Sequence, residues 1–245
     1  MVRLARRALV LALLAACAPA EAASPRARPG RGRARGELVL DGVRTRVTWT
    51  DGDTFVIRSG PRKGRTARLA GVNALESYGP VHRFGGWDRD DLYAVAASSA
   101  ALAARVVPDC AAGADDRYGR VLASCPAAAA ALVRAGHAMV FAVDGPADPA
   151  LLALQREAME RGDGMWARGA PAEVLTSLHS ADEPGLGGRG YDRVADTRSG
   201  TARTVPHRRV YATCQRVCRG DGPDRSCMIH VPRELRYRDR PWCLR

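Results

Sequence analysis

The sequence predicts an α+β fold: a small Greek-key β-barrel with helices at one end, followed by a small cysteine-rich C-terminal module. Three observations carry this. Short strand-like runs between strong turn signals come first, helical segments interleave later, and four of the seven cysteines fall between Cys214 and Cys243. The strand runs are Val43–Trp49, Thr54–Arg58 and Thr66–Leu69, with Asp51-Gly52 and Gly60-Pro61 as the turns between them. Asp90 or Asp91 is expected to cap a helix running through about Arg105. Val121–Ser124 reads as a further strand, reached through the Tyr118-Gly119 turn, and Pro126 opens a helix that stops at Gly136. The clearest helix has Asp148 at its cap, Pro149 in the first position, Ala150–Arg161 as its body and Gly162 at its end.

Beyond Trp166 the pattern changes. Pro171–Arg245 has little helical periodicity, and its β-like runs are short, notably Arg209–Ala212 and Met228–Val231. Gly220-Asp221-Gly222-Pro223-Asp224 between them reads as a hairpin turn. So few apolar residues cannot build an adequate core alone, which predicts covalent staples.

The first residues read as an export signal. Arg3, Arg6 and Arg7 precede the apolar run Ala8–Ala16, which is too short to span a bilayer. The run ends Leu14-Ala15-Ala16-Cys17, which resembles the bacterial lipobox and implies lipidation of Cys17; cleavage after Ala18-Pro19-Ala20 is the alternative. The expected location is therefore outside the cytoplasm, as a membrane-anchored lipoprotein of the bacterial cell envelope, or secreted if Cys17 is not lipidated. Four segments follow: a signal peptide over residues 1–16, a disordered basic tether over 17–36, the barrel-and-helix domain over 37–170, and the cysteine-rich module over 171–245. Setting Cys17 aside leaves six cysteines, an even number that favours disulfides in an exported chain. If pairing respects the domains, Cys110 joins Cys125, and the tail cysteines have three possible connectivities. Zinc held by the tail cysteines with His207 or His230 is the rival.

The net charge of +12 is unevenly distributed. Glu37–Ala170 holds sixteen basic and sixteen acidic residues, whereas Pro171–Arg245 holds fourteen Arg and nine acids. Global charge therefore cannot argue for nucleic-acid binding by the barrel; individual arginines must. The basic tail either attracts nucleic acid at long range or docks on the barrel with its arginines occupied by its own acids.

Chemistry concentrates in three places: Asp51-Gly52-Asp53-Thr54, the run Arg68 to Ser77, and Asp116-Arg117-Tyr118-Gly119-Arg120. Carboxylate, amide and carbonyl oxygens suit a hard divalent cation. A glutamate can serve as general base, and two guanidinium forks can grip a phosphate as charge develops on it. The order and spacing resemble the thermonuclease (staphylococcal-nuclease-like) family over about residues 43–167, with Ala131-Leu132-Val133-Arg134-Ala135-Gly136 and Gly164-Met165-Trp166 continuing the likeness.

The resemblance implies a five-stranded OB-fold with three helices and a metal-dependent nuclease acting on DNA and RNA, preferably single-stranded, with little sequence preference and 3′-phosphate products. It implies Arg68, Glu76 and Arg120 as catalytic residues, and Arg117 and Tyr118 as substrate-binding residues. Asp53, Asn73 and the Ala74 carbonyl would be the ligands of one Ca²⁺, with Asp51 behind them. Three positions depart from the family pattern. Asn73 stands where the family has Asp, Ala74 where it has Thr and Leu75 where Pro is common, which predicts a weakened metal site. The family's second nucleotide-stacking tyrosine is missing; Phe141 lies one residue before the aligned Ala142. A catalytically silent OB-fold module that binds nucleic acid or another anionic ligand is the alternative function.

Overall fold

The computed structural model describes residues 33–76, 81–222, 225–236 and 239–245. The expectations for the signal segment and for Cys17 fall outside these residues. The chain forms β1 (Ala34–Leu40), β2 (Val43–Trp49), β3 (Thr54–Ile57), β4 (Thr66–Leu69), β5 (Val72–Ala74), β6 (Val81–Arg83), α1 (Arg89–Arg105), β7 (Asp109–Asp115), β8 (Val121–Ser124), α2 (Pro126–Arg134), β9 (Ala138–Val140) and α3 (Pro149–Arg161). It continues as β10 (Glu173–His179), β11 (Gly190–Asp196), β12 (Ala202–His207), β13 (Arg216–Arg219) and β14 (Ser226–Ile229).

Six strands close the barrel in the order β1-β2-β3-β4-β8-β7, with β1 returning parallel to β7. The expectation was five. The difference lies in two strands with weak local signals. β1 begins at Ala34, so the last three residues expected in the tether are strand; it pairs with β2 from Ala34↔Trp49 to Leu40↔Val43 and buries Leu38 and Leu40. β7 reads Asp-Cys-Ala-Ala-Gly-Ala-Asp, with no β-branched residue and no clean alternation. It is held by pairing with β8 and by the Cys110–Cys125 disulfide.

Alternation drives the barrel interior: Val47, Trp49, Phe55, Ile57, Ala67 and Leu69 all point inward, at 2 % exposure or less. Trp49 and Phe55 meet at a ring separation of 4.7 Å. α1 is capped by Asp88, whose carboxylate accepts from the amides of Asp90 and Asp91, so the cap lies two or three residues before its expected place. α2 stops at Arg134, two residues short of Gly136. α3 starts and ends as expected, with Asp148 accepting from the Ala150 amide and Gly162 left-handed at φ 67°.

The C-terminal segment makes one three-stranded sheet of its own, β10-β11-β12, and shares another, β13-β14-β6, with the first segment. Arg209–Ala212 is not a strand; β12 ends at His207. Val174, Ala195 and Ala202 pack into one apolar cluster with Leu75, Phe84, Met139, Phe141 and Trp166. Gln155 of α3 donates to the Thr197 carbonyl at 2.6 Å and accepts from the Val140 amide. The tail thus docks on the barrel. Its staples are Cys214–Cys243 and Cys218–Cys227. Among the described residues no helix is long and apolar enough to cross a membrane.

Candidate active site

The turn between β2 and β3 is built by Asp51. Its Oδ1 accepts from the amides of Asp53 (3.1 Å) and Thr54 (2.7 Å), and this places the Asp53 carboxylate inward at 3 % exposure. Gly52 is required for space: a Cβ there would lie 2.8 Å from the Ser99 Cβ and 2.9 Å from the Ala74 Cβ, so α1 and β5 close in on the turn.

Arg68 stands opposite Thr54 across the β3–β4 ladder and reaches back to the same place. Its Nη1 donates to both Asp53 oxygens at 2.9 Å, and its Nη2 donates to Asn73 Oδ1 at 2.8 Å. Asp53 also accepts from Thr54 Oγ1 (2.8 Å) and from the Ala74 amide (2.8 Å). Asn73 Nδ2 donates to the Ala74 carbonyl at 3.0 Å. All three proposed metal-donor groups are therefore neighbours, and each already accepts a hydrogen bond. Removing either partner of the Arg68–Asp53 pair would leave a buried charge alone, at a cost of about 3–5 kcal/mol.

Glu76 follows β5 by two residues. Burial and the Asp53 charge raise its pKa above the ordinary glutamate value, against the opposing pull of Arg68, Arg236 and Arg120. Asp51 is likewise pushed well up by burial, then by Asp53 and Glu76. Burial works against the Arg68 charge, but Asp53, Asp51, Glu76 and Asp116 together outweigh it and hold its guanidinium above the ordinary value. Three carboxylates and the Arg68 guanidinium thus share one partly buried patch. Among the described residues no cluster of three or more His, Cys, Asp or Glu side chains is arranged to hold a metal ion.

Arg120 comes from the β7–β8 turn, and Asp116 aims it. The Asp116 carboxylate accepts from the amides of Tyr118 and Arg120 and from Arg120 Nε at 2.8 Å and Nη2 at 2.7 Å. Burial would raise the Asp116 pKa, but the backbone and side-chain hydrogen bonds from Arg120 and that residue's charge lower it. Gly119 takes φ 75°, the left-handed region that this turn requires. Arg117 hydrogen-bonds Tyr118 Oη and lies 4.7 Å from its ring; Arg120 lies 5.4 Å from the other residues' shared ring, Tyr118, which is 49 % exposed.

The sequence reading missed the positioning role of Asp116, although an aspartate four residues before an arginine across a Tyr-Gly turn is a legible signal. Phe141 is buried at 7 % exposure against the Arg68 guanidinium (5.9 Å), so it packs the site from behind rather than offering a stacking face. Cys110–Cys125 brackets the 116–120 turn.

No curated protein matches the chain. The family described as staphylococcal nuclease homologue matches residues 66–168, a stretch that takes in Arg68, Asn73, Glu76, Arg117, Tyr118 and Arg120 and begins after Asp51 and Asp53. With its barrel and three helices, the chain is similar to the staphylococcal nuclease homologue family over residues 66–168.

Proposed function

We propose that this protein is an exported, calcium-dependent nuclease hydrolysing phosphodiester bonds of DNA and RNA, preferably single-stranded, with little sequence preference. One observation carries the reading: Arg68 on β4 forms a largely buried ion pair with Asp53 at 2.9 Å, and Glu76 after β5 lies in the field of both and of Arg120 from the β7–β8 turn. A carboxylate pKa raised toward neutrality makes Glu76 a better proton acceptor for an attacking water, and it works only when ionised. Arg68 and Arg120 each have N–H donors beyond those used by Asp53, Asn73 and Asp116, so each can grip a phosphate while staying oriented.

The donor chemistry fits a hard cation: Asp53, Asn73 and the Ala74 carbonyl would hold Ca²⁺, with two further carboxylates whose mutual repulsion a dication would relieve. When bound, the ion would polarise the phosphoryl oxygens. Arg68 must then give up part of its hold on Asp53 and Asn73, which predicts modest affinity. Export rests on residues 3–17 and agrees with three disulfides, which persist in oxidising compartments. The lipid anchor at Cys17 is part of the proposal and would appear as a diacylated N-terminal peptide by mass spectrometry.

The alternative, a silent module that binds anionic ligands, is favoured by the Arg68 bonds that occupy the Asp53 and Asn73 oxygens. Incubating residues 33–245 with single-stranded DNA or RNA, in calcium or in chelator, separates the two. Calcium-dependent cleavage supports the nuclease; chelator-resistant binding without cleavage overturns it.

A further inference from the structure

The surface beside Arg117 and Arg120 is continued by residues that lie outside the stretch matched by the family. On β11, Tyr191 and Arg193 alternate with Asp192, so they share one face of the sheet, while Asp192 turns away to bond Tyr211, His207 and Arg219. The Arg117 guanidinium lies 5.1 Å from the Tyr191 ring and 4.7 Å from that of Tyr118, which makes a continuous row Tyr191–Arg117–Tyr118–Arg120. Arg193 stands in the same field. Its charge is opposed by burial and by Arg117, Arg68 and Arg120, which lower its pKa. Its Nε is buried without a hydrogen-bond partner, and among the described residues neither Arg193 nor Arg117 pairs with a carboxylate.

Arg68 and Arg120 have acids of their own; Arg117 and Arg193 do not. Arg193 lies in the field of three other guanidinium groups, and neither it nor Arg117 has a carboxylate partner among the described residues; such like charge is costly unless an anion joins it. A donor that is buried and unused in the protein is what an incoming acceptor oxygen requires.

We propose that Arg193, with Tyr191 beside it, forms a phosphate-binding wall contributed by the C-terminal sheet, where with Arg117 it holds a backbone phosphate next to the one being cleaved. The inference rests on the nuclease reading for the word "cleaved" but on geometry for the phosphate. The ligand is a polynucleotide, because a lone phosphate would engage only part of the Tyr–Arg row. Tyr191 is buried between His179 and Arg117 and so steadies the Arg117 guanidinium, while Tyr118, 49 % exposed, is the ring left open for a base to stack on, which suits a strand whose bases stack and whose phosphates pair. Arg236 belongs to the same segment and its charge bears on Glu76, so a second tail arginine also influences the site.

The test is anisotropy binding of a fluorescent single-stranded oligonucleotide to the full chain in chelator, at several salt concentrations, with cleavage in calcium measured alongside. Arg193→Gln should raise Kd about tenfold or more and reduce the magnitude of the salt slope by about one. Arg193→Lys should keep the slope while losing part of the affinity, because it retains charge without the fork. Arg198→Gln, in the exposed turn after β11, should resemble the parent. Circular dichroism and a thermal melt verify that each variant is folded, and the Lys variant retains the charge if the Gln variant is not. Unchanged affinity and slope in folded Arg193→Gln, or equal losses in Arg198→Gln, would overturn the proposal. Arg193-dependent binding with no cleavage by the parent would instead remove the nuclease reading and leave this wall standing.

Discussion

The two halves of the chain hold themselves together differently. The barrel segment is electrically neutral, closes its sheet on itself and fills its interior from its own strands and α2. The C-terminal segment carries the excess arginines and two of the three disulfides, yet buries much of its apolar surface against the first segment. Tyr93 of α1 even joins a cluster with Val231, Cys243 and Leu244 at the chain's end. Disulfides lower the entropy of the unfolded tail but supply no core; the tail has a small one of its own around Leu175, Leu178, Val194, Tyr211, Val217 and Met228, and completes its burial against the first segment. A cysteine-rich module is therefore not necessarily an independent domain.

The strongest challenge to this comparison is truncation after Ala170. The cut would uncover Leu75, Phe84, Phe141 and Trp166 and remove β13 and β14, the other two strands of β6's sheet. Each large side chain so exposed forfeits about 1.5–3 kcal/mol, against a typical domain stability of about 5–15 kcal/mol. We expect loss of the cooperative thermal transition and of near-ultraviolet dichroism. A truncated protein that melts like the full chain would show the tail to be an accessory.

Next in size is Glu76→Gln, expected to lower turnover by ~10²–10⁴-fold while leaving the melting temperature at neutral pH unchanged or raised. The sign follows from the raised carboxylate pKa, caused first by burial and then by Asp53. The native state holds this proton more tightly than the unfolded chain does. Its contribution to stability is thus full below the ordinary glutamate value and lost as pH rises through the raised one. Turnover runs the other way, falling as pH drops through that raised value. A pH–rate profile breaking only where free glutamate titrates would contradict this.

The staples separate the halves more finely. Replacing Cys110 and Cys125 with Ser opens a separation of 15 residues and should cost about 3 kcal/mol, with slightly less for Cys218 and Cys227 at a separation of 9. Only the first pair brackets Arg120, so only its loss should raise KM beyond what instability explains; denaturant melts and kinetics on both variants would show the difference. The smallest effect is expected from Asn73→Asp, which adds an anionic oxygen beside Asp53 and should tighten calcium binding several-fold. Calorimetry showing equal or weaker binding would remove Asn73 from the ligand set.

Much of the barrel was legible in the sequence because its signals are local. Val43–Trp49 and Thr66–Leu69 alternate, and Asp148-Pro149 with Gly162 punctuate α3 within a few residues. Arg68, Glu76 and Arg120 were singled out by a resemblance of order and spacing; in the structure Arg68 pairs with Asp53, and Glu76 feels the charges of Asp53, Arg68 and Arg120. What escaped depends on distant partners. β7 has almost no β-forming composition, β6 exists as a strand through β14, and Arg193 becomes interesting only when β11 lies beside Arg117. Nothing in Tyr191-Asp192-Arg193 announces Arg117 as a neighbour, since alternation fixes a face but not what packs against it.

The β6–β14 pairing sets a schedule for the chain as it is made. Arg83 meets Cys227, so a strand in the first third of the sequence waits for one synthesised near the end. Pairings of such long sequence separation form late, and domains generally fold in the order in which they emerge. β6 and the apolar flank of Leu75, Phe84, Phe141 and Trp166 therefore stay uncovered until the C-terminal segment is made, with β11 and its Arg193 emerging before the β14 strand that completes the pairing. The last residues made thus complete the packing of the first, and the scaffold under the Arg68–Asp53 pair is finished only when Cys227 is in place.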